Sequence, residues 1–202
     1  MELCVIEGDG IGREVIPAAV RVLQATLPDL HIHPAAAGWD HFNQTGEPLP
    51  QGTLELAREC GAVLYGAANS PSYPVEGYFN PIVRLRRLLY THASLRPVIS
   101  LPVQTARPGV DLLVVREVTE DVYQGEEVQS DEGMTGSTQK IITRAASERI
   151  AHTAFELARQ NKRRLVTIVH KGNVMPRTDG LFRRACFDVA QQYPEIEVDE
   201  LL

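Results

Sequence analysis

The chain is predicted to fold as a layered α/β protein, with helices covering strands and a polar, non-helical stretch in its second half. Three observations predict this. Short apolar runs rich in β-branched residues alternate with amphipathic stretches along all 202 residues, as they do where strands interleave with covering helices. A glycine-rich turn, EGDGIGREV at residues 7–15, joins the first run to the first amphipathic stretch. The segment QGEEVQSDEGMTGSTQK, residues 124–140, is polar and lacks helical period, so it is either a mobile loop or a projecting hairpin arm.

In order, Leu3 to Ile6 reads as a strand, and residues 12–27 as a helix turning Val15, Ile16, Ala19, Val20 and Leu23 inward. A helix over Leu54 to Cys60, a strand over Ala62 to Tyr65 and an arginine-rich helix near residues 80–91 follow. Strands are expected at Leu95 to Ile99 and Leu112 to Arg116. Between them SLPVQTARPG, residues 100–109, carries two prolines that interrupt the apolar pattern. The expected division is therefore a first domain over 1–99 and a second over 100–202. The second half continues with a helix over Ala146 to Arg159 and a strand, Leu165 to Val169, whose composition reads as buried. A helix over 179–191 and a strand at Ile196 to Val198 complete the alternation.

A hydrophobic content of 44% is ample for a core and predicts a soluble globular protein. The net charge of −6, with no basic block, gives no electrostatic footprint for nucleic acid or an anionic membrane. Cys4, Cys60 and Cys186 are odd in number and form no C-x-x-C pair, so they read as small buried thiols in a reducing compartment. The opening MELCVIEGDG has no basic leader, and no run approaches the ~18 apolar residues of a membrane span. The cytoplasm is the expected location.

Four segments have residue types suited to chemistry. In GDGIG the spacing is G-x-G-x-G rather than the dinucleotide fingerprint G-x-G-x-x-G. It is either a structural turn or a close approach of backbone to ligand. VRLRRLLYTHASLRP, residues 83–97, gathers Arg84, Arg86, Arg87 and Arg96 in an acidic chain, and guanidinium groups bind carboxylates by paired hydrogen bonds. Arg84 and Arg87 read as a solvated helix face. In LLVVREVTEDVY, residues 112–123, a strand ends in Arg116 and is followed by Tyr123; an arginine there can clamp an acid and a nearby phenol can give up a proton. Locally, however, an ordinary strand and turn explains the segment. In TIVHKGNVMPRTDGLF, residues 167–182, Lys171 and Asn173 stand where a strand ends, the side of an open α/β sheet on which ligands bind.

Together GDGIG, the L-R-R…L-R-P segment, V-R-E-x-T-E-x-x-Y, ITRAASERIA and H-K-G-N-V resemble the β-decarboxylating dehydrogenases, the isocitrate, isopropylmalate and homoisocitrate family. GAANSP and RPGVDLLVVRE most resemble the homoisocitrate branch. His170 resembles the isocitrate and homoisocitrate branches. The resemblance implies an α/β/α fold of that type and oxidation of a 2-hydroxy di- or tricarboxylic acid by NAD or NADP, with loss of carbon dioxide and assistance from Mg²⁺ or Mn²⁺. It implies that Arg86, Arg96 and Arg116 hold substrate carboxylates, Lys171 handles the hydroxyl proton, and Tyr123 protonates the enolate carbon. Asn173, with Ile11 and Ser70, is implied on the nicotinamide cofactor. Val83 stands where the homoisocitrate branch can be basic, implying a pocket for an apolar or longer substrate tail. The arm is implied to interlock a homodimer.

Tyr90, Ser94, Val118 and Asp121 depart from the family's aspartate, asparagine, asparagine and glycine. The resemblance also implies that the metal-binding aspartates and the adenosine loop follow EIEVDELL, so the chain is expected to lack both sites. Glu126, Glu127, Asp131 and Glu132 read as a solvated cluster rather than a replacement cage. Three functions follow: an enzyme completed by a complementary C-terminal polypeptide, a non-catalytic carboxylate-binding module, or a subunit docking on a full-length dehydrogenase.

Overall fold

The computed structural model describes residues 1–202, apart from the side chain of residue 131, so that arm acid lies outside the described set. The chain forms two compact units, Met1–Tyr90 and Thr91–Leu202. The division falls after Tyr90 rather than at residue 99, because the strand Ala93–Ile99 pairs with Asp111–Glu117 in the second unit.

In the first unit, β1 (Glu2–Gly8), α1 (Gly12–Thr26), β2 (His31–Ala35), α2 (Trp39–Thr45), α3 (Gln51–Cys60), β3 (Val63–Ala67) and α4 (Pro81–Leu88) follow in order. The parallel sheet has the order β2-β1-β3. Cys4 and Ile6 of β1 are fully buried and pack with Leu54, Ala57 and Leu85 from α3 and α4. Each large apolar side chain so buried contributes about 1.5–3 kcal/mol. Neither β2 nor α2 was expected from sequence. Pro34 in HIHPA argues against a central strand and is tolerated on an edge, while α2 is too short to show a helical period.

On α1 the buried or half-buried positions Ile16, Ala19, Val20 and Leu23 form one stripe. Val15 is 48% exposed, which corrects the inward assignment: it falls one residue, about 100°, off that stripe. The arginine-rich helix ends at Leu88, and Tyr90 turns the chain at φ +56°.

The second unit contains β4 (Ala93–Ile99), β5 (Asp111–Glu117), β6 (Glu127–Ser130), β7 (Thr135–Thr138), α5 (Arg144–Gln160), β8 (Leu165–Val169), α6 (Asp179–Ala190) and β9 (Glu197–Leu201). Antiparallel ribbons β4–β5 and β6–β7 accompany the parallel pair β8–β9. The polar segment is thus a hairpin, exposed at all four residues of each strand. Phe155, buried and stacked at 5.1 Å on Tyr193, anchors α5 against Ile168, Cys186 and Val189. β8 is not the fully buried strand that its composition suggested. Ile168 and half-buried Val166 face this core, whereas Leu165, Thr167 and Val169 alternate outward into solvent.

Candidate acid-binding site

The GDGIG turn is a structural knot. Gly8 adopts φ +71°, and a Cβ there would lie 1.9 Å from the Ala67 carbonyl oxygen; one on Gly12 would lie 2.0 Å from that of Glu7. Only glycine lets β1, the turn and β3 approach so closely. Between them Asp9, 2% exposed, accepts backbone N–H groups from Trp39 and Asp40 at 2.9 Å and from Asn69 at 2.8 Å. Ile11 lies beyond this knot, 58% exposed at the start of α1. Ser70 accepts a hydrogen bond from the Asn80 amide at 3.0 Å, while the Asn80 carbonyl caps α4 at the amides of Ile82 and Val83. Val83 is half-buried in the first turn of α4, and Arg86 is half-buried and already engaged by a neighbouring group.

In the second unit the β4–β5 register sets Ser94 opposite Arg116 and Arg96 opposite Val114. Because strand side chains alternate, Arg96 and Arg116 emerge on the same face as diagonal neighbours, with β-carbons about 7 Å apart. Both are exposed, and among the described residues neither enters an ion pair. Arg116 Nη2 donates to the Tyr123 phenol oxygen at 3.1 Å, which leaves the phenol's own O–H free to donate.

Two glutamates bend the chain back to make that contact. The Glu117 carboxylate accepts from the amides of Thr119 at 2.8 Å and Glu120 at 2.9 Å, and from the Thr119 hydroxyl. Glu120, nearly buried, accepts from the Thr143 amide at 2.8 Å and hydroxyl at 2.6 Å, and Thr143 in turn caps α5. Val118 is a buried apolar plug under this turn. Asp121 holds φ +69°, a left-handed conformation that aspartate tolerates better than most residues.

Lys171 and Asn173 are exposed just beyond the carboxyl end of β8. The Lys171 amide donates to Asp179 Oδ2 at 2.7 Å, and its carbonyl accepts from Val174 and Met175. Gly172 N–H donates to His170 Nδ1 at 2.9 Å, so the proton of this imidazole is on Nε2, facing Glu200 Oε2 at 3.1 Å. Arg183 pairs with the same glutamate and is the main reason its carboxyl lies below the usual range.

The structure therefore brings Arg96, Arg116 and Tyr123 together, and no hydrogen bond or ion pair among the described residues joins Lys171 to them. Sequence reasoning missed the positioning acids Asp9, Glu117, Glu120 and Asp179. An aspartate flanked by glycines at a strand end, and glutamates three apart in a turn, were signals that could have found three of them.

The family model for isocitrate/isopropylmalate dehydrogenase matches residues 2–202. The chain belongs to this family. It is 44% identical over 200 residues to the isocitrate/homoisocitrate dehydrogenase of Thermus thermophilus, covering 99% of this chain and 59% of that protein. It is also 44% identical over 205 residues to the 3-isopropylmalate/3-methylmalate dehydrogenase of Methanocaldococcus jannaschii, covering 98% of this chain and 59% of that one. Isocitrate dehydrogenase from Methylococcus capsulatus superposes with a TM-score of 0.93 at 36% identity, covering 99% of this chain and 60% of that structure. The chain thus spans about 60% of the length of the relatives it matches. Among the described residues no group of three His, Cys, Asp or Glu could hold a metal ion, and no helix is long and apolar enough to cross a membrane.

Proposed function

We propose that this chain supplies the acid-binding and proton-handling part of a β-decarboxylating dehydrogenase acting on a 2-hydroxy di- or tricarboxylic acid of the homoisocitrate or isocitrate type. The observation that carries this reading is the pair Arg96 and Arg116, exposed on one face of a ribbon without an acidic partner among the described residues, in a chain of net charge −6. Such a pair matches two carboxylates of one small molecule by charge-assisted hydrogen bonds. From the resemblance alone, Arg86 is likewise assigned to a substrate carboxylate and Val83 to an apolar or longer tail.

Tyr123, oriented by Arg116, delivers its proton to the carbon left by carbon dioxide, and Lys171 takes or returns the proton of the substrate hydroxyl. Ile11, Ser70 and Asn173 are the residues that, by the resemblance, would hold NAD or NADP, which would supply the hydride acceptor. The described residues offer no group of three acids, histidines or cysteines that fits the family's Mg²⁺ or Mn²⁺; a complementary C-terminal polypeptide or a full-length relative is the partner assigned in this reading. The exposed β6–β7 ribbon is assigned to homodimer contact, and three free thiols fit a cytoplasmic protein. A second reading is a carboxylate-binding module without turnover, for which the same exposed Arg96 and Arg116 suffice.

Calorimetry with homoisocitrate, isocitrate and isopropylmalate tests the reading. One of these acids should bind, and Arg116→Ala should weaken it about 10- to 100-fold, the loss of hydrogen bonds to charged groups. No binding by the parent chain refutes acid recognition. Mixing with the C-terminal part of a relative, plus Mg²⁺ and NAD or NADP, should then generate reduced nicotinamide; binding without turnover in that mixture selects the module instead.

A further inference from the structure

The acid and base around Asp179 have no part in the scheme above. Asp179 opens α6 and is 8% exposed. Both its oxygens are committed: Oδ2 to the Lys171 amide at 2.7 Å and Oδ1 to the Lys140 ammonium at 2.5 Å. The Lys140 side chain, only 25% exposed, also lies 3.7 Å from Asp121 Oδ2. Asp121 donates its amide to the Ile141 carbonyl at 2.9 Å and stands two residues before Tyr123. One half-buried lysine therefore sits between the turn that carries Tyr123 and the loop that carries Lys171.

We propose that Lys140 and Asp179 are positioning residues that lock the Tyr123 turn and the Lys171 loop into one arrangement, so that neither moves independently of the other. This rests on the reading of Tyr123 and Lys171 as the proton-handling groups. A carboxylate this far from water needs a compensating charge, and Lys140 provides it from the strand-like segment bridged to Asp121. Asp179 passes the constraint to the loop through a backbone amide, which fixes main chain rather than a flexible side chain. His170 holds the next amide, at Gly172, from below. Such restraint matters because a displacement of about 1 Å in a reacting group can cost about 100-fold in rate.

Amide hydrogen exchange on the complete 202-residue chain tests this. Lys140→Met, which keeps the length and removes the charge, should speed exchange at Lys171 and at Asp121 to Tyr123 by about tenfold or more. Exchange in the middle of α5, at Phe155 and Ala158, should stay within about twofold. Lys140→Arg should restore protection at both segments. If Lys140→Met does not fold, the near-isosteric Asp179→Asn is judged by the same criteria. Unchanged exchange at either segment, acceleration spread evenly into α5, or failure of Lys140→Arg to restore protection overturns the proposal. If the parent binds no acid, the functional reading alone fails, and the exchange data still decide whether the two segments are locked.

Discussion

Replacing Asp9 by asparagine should weaken the first unit by about 3 kcal/mol. The carboxylate accepts three main-chain N–H groups, two on Oδ2, from Trp39 and Asn69, and one on Oδ1, from Asp40. An asparagine has one acceptor oxygen. Its best orientation keeps that oxygen toward Trp39 and Asn69, and its NH₂ then faces the Asp40 N–H, donor against donor. One hydrogen bond to a charged group, worth about 1.5–3 kcal/mol, is lost, and two others become neutral, each weakened by up to about 1 kcal/mol. Trp39, the only tryptophan in the chain, donates one of these bonds, so its fluorescence reports this unit directly. With a urea slope of about 2 kcal/mol/M, the midpoint of the Trp39 transition should fall by about 1.5 M. A fall below about 0.5 M would refute the claim that the buried carboxylate ties the turn together.

Acidification and thiol labelling provide two further checks. The Glu200 carboxyl is held below its ordinary range, first by hydrogen bonds from Arg183 and then by His170; its contribution to stability is therefore complete above the unfolded value of about 4.3 and vanishes as pH falls through the folded one. Glu200→Gln should flatten the pH dependence of the thermal midpoint between about pH 5 and 3, and an unaltered slope would contradict it. Desolvation raises all three thiols, that of Cys186 to about 12, but of the three Cys60 alone is half-exposed. Iodoacetamide on the native protein should therefore modify Cys60 well before the other two, and mass spectrometry showing equal rates would overturn that order.

The elements with a strong period are legible in the sequence. α5 was readable because its apolar residues recur at helical spacing, and Leu165 to Val169 coincides with β8. β2 and α2 escaped because a proline on an edge strand and a seven-residue helix leave no periodic trace. Burial was less readable than type: β8 has the composition of a covered strand, yet tertiary packing shields only the side that carries Val166 and Ile168. At the candidate site, Arg96, Arg116 and Tyr123 stand out through the family resemblance, since their own segments read locally as an ordinary strand and turn. Asp9, Glu120 and Asp179 do not. Their work is done on backbone amides from distant segments, and no local pattern records which amide an acid will reach.

The pairing of β4 with β5 ties charge recognition to strand register. A deletion of one residue between either arginine and the β4–β5 connection, with the ladder next to that connection held, would turn that arginine through to the opposite surface while its partner stayed behind, splitting the cationic pair without removing a single charge. The same deletion in the connecting loop at 100–110 would leave the pair intact. Evolution can therefore resize that loop freely, but can retune the pair only by substitution.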